Sequence, residues 1–147
     1  MKTYSTKAKD IKREWHIIDA SGEILGGIAV KAANLLMGKQ KTIFCRHMDV
    51  GDNVVIINAA KIRVTGDKLK QKMYYRHSNY PGGLKADSLE DLMKKDPGKA
   101  VEHAIRGMLP HNRLESRMMN RLKIFAGDEH PYSGQVKNST AAVAEAK

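Results

Sequence analysis

Between Lys68 and Lys85 the chain reads Lys-Leu-Lys-Gln-Lys-Met-Tyr-Tyr-Arg-His-Ser-Asn-Tyr-Pro-Gly-Gly-Leu-Lys, a run that interleaves cations with aromatic rings. Lysine and arginine make charge-assisted hydrogen bonds to phosphate oxygens, and tyrosine rings stack on unpaired bases or riboses. The run closes on Pro81-Gly82-Gly83, a turn with almost no side chain that lets another backbone come close. An ordinary soluble enzyme has no need of this combination. A polyanion, RNA foremost, is the ligand it fits.

Charge supports that reading. The 147 residues hold 26 Lys and Arg against 16 Asp and Glu, a formal net charge of +10, and such a field speaks to partners rather than to fold. No apolar run approaches the ~20 residues of a membrane span. The N-terminal Met-Lys-Thr-Tyr-Ser-Thr-Lys lacks the apolar stretch of a secretory signal, so the expected location is cytoplasmic. Cys45 is the lone cysteine, which rules out an intrachain disulfide and a multi-thiolate zinc site; it reads as a half-buried small apolar residue.

Catalytic chemistry finds little to build on. His16 falls in an apparent core strand and reads as a satisfied core histidine. His47 and Asp49 sit close together, but beside Arg46 and without a further ligand at metal spacing, and Gly51-Asp52 reads as a turn. Gly22, Gly26 and Gly27 follow a strand and precede a helix, yet their spacing is neither Gly-x-Gly-x-x-Gly nor a Walker motif. Met108, Met118 and Met119 read as core filler. Neither a metal nor a cofactor nor a small-molecule substrate is expected.

The elements that must position these residues follow from periodicity. A basic arm, residues 1–14, precedes a globular domain, residues 15–132, and a small, polar, Ala-rich tail, residues 133–147, expected to be disordered. Trp15–Asp19 reads as a strand, and Ile24–Met37 as a helix with Leu25, Ile28, Ala29, Ala32, Leu35 and Leu36 on one face and Gly38 as its stop. Asn53–Asn58, with Val54, Val55, Ile56 and Ile57 in succession, reads as a strand buried on both faces, as in a parallel sheet. Ile62–Thr65 and Met73–Arg76 are predicted to pair as a hairpin around Gly66-Asp67. Ser88 caps a helix to Lys95, Pro97 opens another that ends at Pro110, Leu114–Leu122 is helical, and Lys123–Ala126 is the last strand. The class is α/β with a small parallel sheet. Two basic blocks stand out: Ala60–His77, with six Lys or Arg and one acid, and Ile105–Lys123, with five and one. An acidic helix between them suggests two parts of one binding face.

Taken together, several blocks resemble the universal ribosomal protein L-thirteen family of the large subunit. They are Trp15-His-Ile-Ile-Asp-Ala, Ile24-Leu-Gly-Gly-Ile-Ala, Gly38-Lys-Gln-Lys41, His47 to Ala59, Lys61-Ile-Arg-Val-Thr-Gly66, Lys72-Met-Tyr-Tyr-Arg-His77, Pro81-Gly-Gly-Leu, Ile105-Arg-Gly-Met-Leu-Pro110 and Leu122-Lys-Ile-Phe-Ala-Gly127. The resemblance implies a three-layer α/β/α fold around a four-stranded, mainly parallel sheet. It also implies binding to 23S-type ribosomal RNA beside neighbouring large-subunit proteins, an early role in subunit assembly, and no catalysis. Carried over by position, the RNA-facing candidates are Lys39, Lys41, Arg46, His47, Gly82, Gly83, Arg106, His111, Arg113, Arg117, Arg121 and Lys123. Lys68, Lys70, Lys72, Tyr74, Tyr75, Arg76, His77 and Tyr80 from the basic and aromatic run join them, as do Lys61 and Arg63 from the first basic block. On a strand Tyr74 and Tyr75 face opposite sides, so at least one of them is expected to point inward.

The chain departs from the family pattern at Gly27, where arginine is usual, at Glu115-Ser116, where Gly-Arg is usual, and at Cys45-Arg46, where Thr-Pro is commoner. An acid at 115 is expected to repel phosphate. Two other readings compete: a free RNA-binding regulator of translation, and a nucleotide-dependent α/β enzyme using the turn after Asp19.

Overall fold

The computed structural model describes residues 5–136. In chain order its elements are β1 (Trp15–Asp19), α1 (Leu25–Met37), β2 (Asn53–Ile57), α2 (Lys68–Gln71), β3 (Met73–His77), β4 (Leu84–Ser88), α3 (Leu89–Lys95), α4 (Pro97–Arg106), α5 (Glu115–Asn120) and β5 (Leu122–Ile124). The main sheet has the order β1-β2-β5 with both pairings parallel, Ile17 opposite Val55 and Val55 opposite Lys123.

The run of β-branched residues in β2 takes the central strand, where Val54, Val55 and Ile56 are all fully buried. Val54 and Ile56 share one cluster with Ile28, Ala32 and Leu36 of α1, Val101 and Ile105 of α4, and Met118 of α5. Each fully buried Ile, Leu or Val there contributes about 1.5–3 kcal/mol of transfer free energy. Val55 points to the opposite face. Aromatic rings lie beside the sheet: Trp15 stacks on Tyr132 at 5.1 Å between centroids, and Phe125 lies 6.2 Å from Tyr132.

The implied four-stranded sheet is corrected to three parallel strands and a separate two-stranded antiparallel ribbon. Residues 62–65 make only an isolated parallel bridge, Arg63 to Ile24, outside the sheet. The predicted hairpin is corrected with it. β3 pairs not with residues 62–65 but with β4, from Met73 opposite Ser88 to His77 opposite Leu84. Gly66-Asp67 leads instead into α2, and the ribbon turns at residues 78–83.

Caps fall where the residue types put them. Ser88 Oγ accepts the Asp91 N–H at 3.1 Å at the start of α3, and Asp96 caps α4 ahead of Pro97. The last helix is shorter than predicted, Glu115–Asn120, and β5 begins at Leu122 rather than Lys123. Of the tail expected to be disordered, residues 133–136 form a helical turn on Tyr132, and residues 137–147 lie outside the described residues, as do residues 1–4 of the arm. The rest of the arm lies against the loop after α1, with Thr6 Oγ1 donating to the Ile43 carbonyl at 3.0 Å.

Candidate nucleic-acid interface

The loop from Gly38 to Asp52 presents several of the candidate cations, and what holds it is a buried polar network. Asp52 is 1 % exposed. Its carboxylate accepts the Glu14 N–H at 3.0 Å, His16 Nε2 at 3.1 Å, Gln40 Nε2 at 2.8 Å and the Lys41 ammonium. Lys41 Nζ also donates to the Lys12 and Val50 carbonyls at 2.6 and 3.2 Å. Asp49 receives the Arg121 guanidinium, which further donates to the Leu36 and Asp52 carbonyls at 3.0 and 3.2 Å. Arg13 adds contacts to Asp49 Oδ2 at 3.4 Å and the Gly51 carbonyl at 3.1 Å. Gly51 is needed for this closure: a Cβ there would stand 1.7 Å from the Leu36 carbonyl oxygen.

Burial alone would push the Asp52 carboxyl up, but bonds from His16, Glu14 and Lys41 outweigh it and hold the carboxyl low. Burial likewise opposes ionisation of Asp49, and Arg121 and Arg13 overcome it. Both folded-state values are therefore depressed, so the folded chain binds fewer protons than the unfolded chain. The network's contribution to stability is complete above the ordinary carboxylate range, about pH 4, and is lost as pH falls through it. In an acid titration followed by circular dichroism, stability should hold from about pH 7 to 5 and drop steeply below about pH 4. Asp52→Asn should be less stable at neutral pH and show a shallower acid limb.

This network turns two of the candidates inward. Lys41 and Arg121, at 15 % and 11 % side-chain exposure, are tied to buried carboxylates. They fix the loop rather than present charge. Asp52, read as part of a turn, is the hub, and His16 is half-buried against it instead of lying in the core. No local signal marks Asp49 and Asp52 as hubs, apart from an acid two positions before four β-branched residues.

Most of the other candidates are displayed outward. Lys39, Arg46 and His47 are exposed on the clamped loop. Lys61, Arg63, Lys68, Lys70, Lys72, Arg76 and His77 are exposed on and around α2 and β3, as are Arg113 and Arg117 before and within α5. Lys123 is half-buried in β5. Tyr75 and Tyr80 are 68 % and 76 % exposed. Tyr74 faces the other way, as strand alternation requires: its ring packs 5.3 Å from His103, Lys72 Nζ lies 5.5 Å from its centre, and burial pushes its phenol up.

In the ribbon turn the two glycines do different things. A Cβ on Gly83 would meet Ser78 Oγ at 2.0 Å, so the close approach there is within the chain; Gly82 faces open space. Arg76 lies 3.5 Å from Asp87. Glu115, the acid at the family's Gly-Arg position, accepts from Arg106 at 2.7 Å and His111 at 3.2 Å, and these partners lower its pKa. Its charge is thus neutralised locally instead of facing a ligand bare.

Two grooves join the basic blocks. One, of about 330 Å3, runs between Leu25 of α1, Lys68 and Lys72, and His103 of α4 as far as Gly107-Met108. The second, of about 440 Å3, begins at Met108 and passes between residues 108–112 and the clamped loop with Lys39 and Arg46. Met108, read from the sequence as core filler, is 40 % exposed and borders both. Among the described residues no group of histidine, cysteine and acidic side chains could hold a metal ion, and no helix is long and apolar enough to cross a membrane.

The model of the family described as ribosomal protein L13 matches residues 13–131. This chain belongs to the ribosomal protein L13 family. Relatives named large ribosomal subunit protein uL13 align along nearly its whole length. The protein from Dehalococcoides mccartyi is 56% identical over 135 residues, covering 92% of this chain and 94% of the relative. That from Streptomyces griseus is 53% identical with 92% of each chain covered. That from Chlorobium phaeobacteroides is 51% identical, covering 91% and 90%. The L13 match takes in every strand and helix given above, and both grooves lie inside it.

Proposed function

We propose that this chain is a structural constituent of the large ribosomal subunit, holding 23S-type ribosomal RNA and neighbouring large-subunit proteins during assembly and translation in the bacterial cytoplasm. Membership of the ribosomal protein L13 family carries the proposal. The family is structural rather than enzymatic. In this reading the work is divided among three parts of the surface. The Asp49–Asp52 network clamps a loop whose outward cations meet phosphate. The ribbon and α2 extend a second basic surface, and the two grooves make the blocks contiguous. Affinity comes mainly from phosphate neutralisation, and selectivity from RNA shape, ribose hydroxyls and stacking.

Lys39, Arg46, His47, Lys61, Arg63, Lys68, Lys70, Arg113 and Arg117 are the proposed phosphate and ribose contacts. Tyr75 and Tyr80 supply stacking, whereas Tyr74 packs on His103 and positions the ribbon. Replacing Tyr75 and Tyr80 with leucine should weaken binding to large-subunit rRNA about thirtyfold or more, since each lost stack on an aromatic ring costs about 1–3 kcal/mol per base. Binding to heparin should hardly change. Filter binding of the full chain to both polyanions distinguishes the outcomes: an equal loss on each would remove the stacking role.

A further inference from the structure

A groove of about 440 Å3 lies beside Met108, between residues 108–112 and the clamped loop. Resting on the RNA-binding reading above, we propose that it receives a single nucleobase turned out of the ribosomal RNA stack. Phe44, Met48 and Met108 give it an apolar, polarisable wall, and thioether and phenyl surfaces suit the face of a base. Phe44 and Met108 remain 38 % and 40 % exposed, although aromatic and apolar groups of this size gain from cover. The volume falls within the range of about 300–1,000 Å3 typical of small-ligand sites.

What selects a nucleotide over an apolar side chain is the polar equipment. Lys39 and Arg46, exposed cations without an ion pair among the described residues, line the same groove, placed to take the phosphates on either side of an inserted base. Asn112 is fixed by its own turn. Its Oδ1 accepts the Leu114 N–H at 2.9 Å, which leaves the amide Nδ2 hydrogens as donors for a base carbonyl or ring nitrogen. Apolar walls, one amide donor and two flanking cations match a base with its phosphates. A leucine or phenylalanine from a protein neighbour would use only the walls.

The test separates these contributions by salt. With protein-free large-subunit rRNA and the full chain, log K is measured against log salt. Phe44→Ala and Met108→Ala should each lower affinity about tenfold at every salt and leave the slope unchanged, because no phosphate contact is lost. Arg46→Gln should instead flatten the slope by about 0.7–0.9. Base-specific chemical probing supplies a second readout that needs no variant to fold: one unpaired base should become protected on binding the wild-type chain. Unchanged affinity of both alanine variants, or no protected base, would overturn the proposal. A defect that appears only when other ribosomal proteins are added would also overturn it, in favour of a protein side chain. A wild-type chain that shows no salt-dependent rRNA binding would overturn the RNA-binding reading itself, and this proposal with it.

Discussion

Arg121→Met is expected to lower the stability of the chain by about 3–5 kcal/mol, the typical cost of removing one partner of a buried ion pair. Arg121 and Asp49 are 11 % and 8 % exposed at their side chains, so little water is at hand to replace the lost guanidinium. The same substitution strips hydrogen bonds from the Leu36 and Asp52 carbonyls, and Arg13, at 3.4 Å from Asp49, is left as a weaker, more exposed partner. At about 2–4 °C per kcal/mol for a domain of this size, the melting temperature should fall by roughly 6–20 °C. Most of the loss comes from a stranded carboxylate, so the double variant Arg121→Met, Asp49→Leu should recover part of it. Thermal unfolding of the two variants side by side decides the matter. A drop below about 1 kcal/mol for Arg121→Met would mean that the pair behaves like an exposed one.

The second large effect concerns binding. Exchanging Lys68, Lys70, Arg113 and Arg117 together for glutamine should cost two to three orders of magnitude in rRNA affinity near 0.15 M salt. If each cation neutralises one phosphate, the slope of log K against log salt should flatten by about 3. All four side chains are exposed and none is in an ion pair among the described residues, so the fold should be untouched. The pairs Lys68/Lys70 and Arg113/Arg117 come from different basic blocks. If the blocks form one face, each pair alone should cost about half of the total in log K. Loss confined to one pair would mean that the blocks do not bind together.

Much of the scaffold could be read from residue types because the signals are local. The period of Leu25 to Leu36 gave α1, the β-branched run at Val54 gave a central parallel strand, and Ser88 and Pro97 marked the helix starts. The ribbon pairs differently from its prediction because its second strand, Leu84-Lys-Ala-Asp-Ser88, alternates but has no β-branched residue, whereas Ile62-Arg-Val-Thr65 has both features. Strand propensity reflects a half-buried pleated surface, and residues 84–86 lie exposed.

The clamp was hidden for a different reason. Asp49 meets Arg121 across 72 positions, and Asp52 meets His16 across 36. No local pattern distinguishes a lysine bound for a buried carboxylate, such as Lys41, from one left exposed, such as Lys39. Charge counts carry no such distinction, and it is the fold that sorts the cations into those that hold the loop and those that face outward.

The central claim, that this chain is a working part of the large subunit, is tested most directly by sedimenting cell lysate through a gradient at moderate salt and following the chain across the fractions. Stoichiometric co-migration with large subunits and their precursors, reversed as salt is raised, is the predicted result. Recovery of most of the chain at the top of the gradient would contradict it.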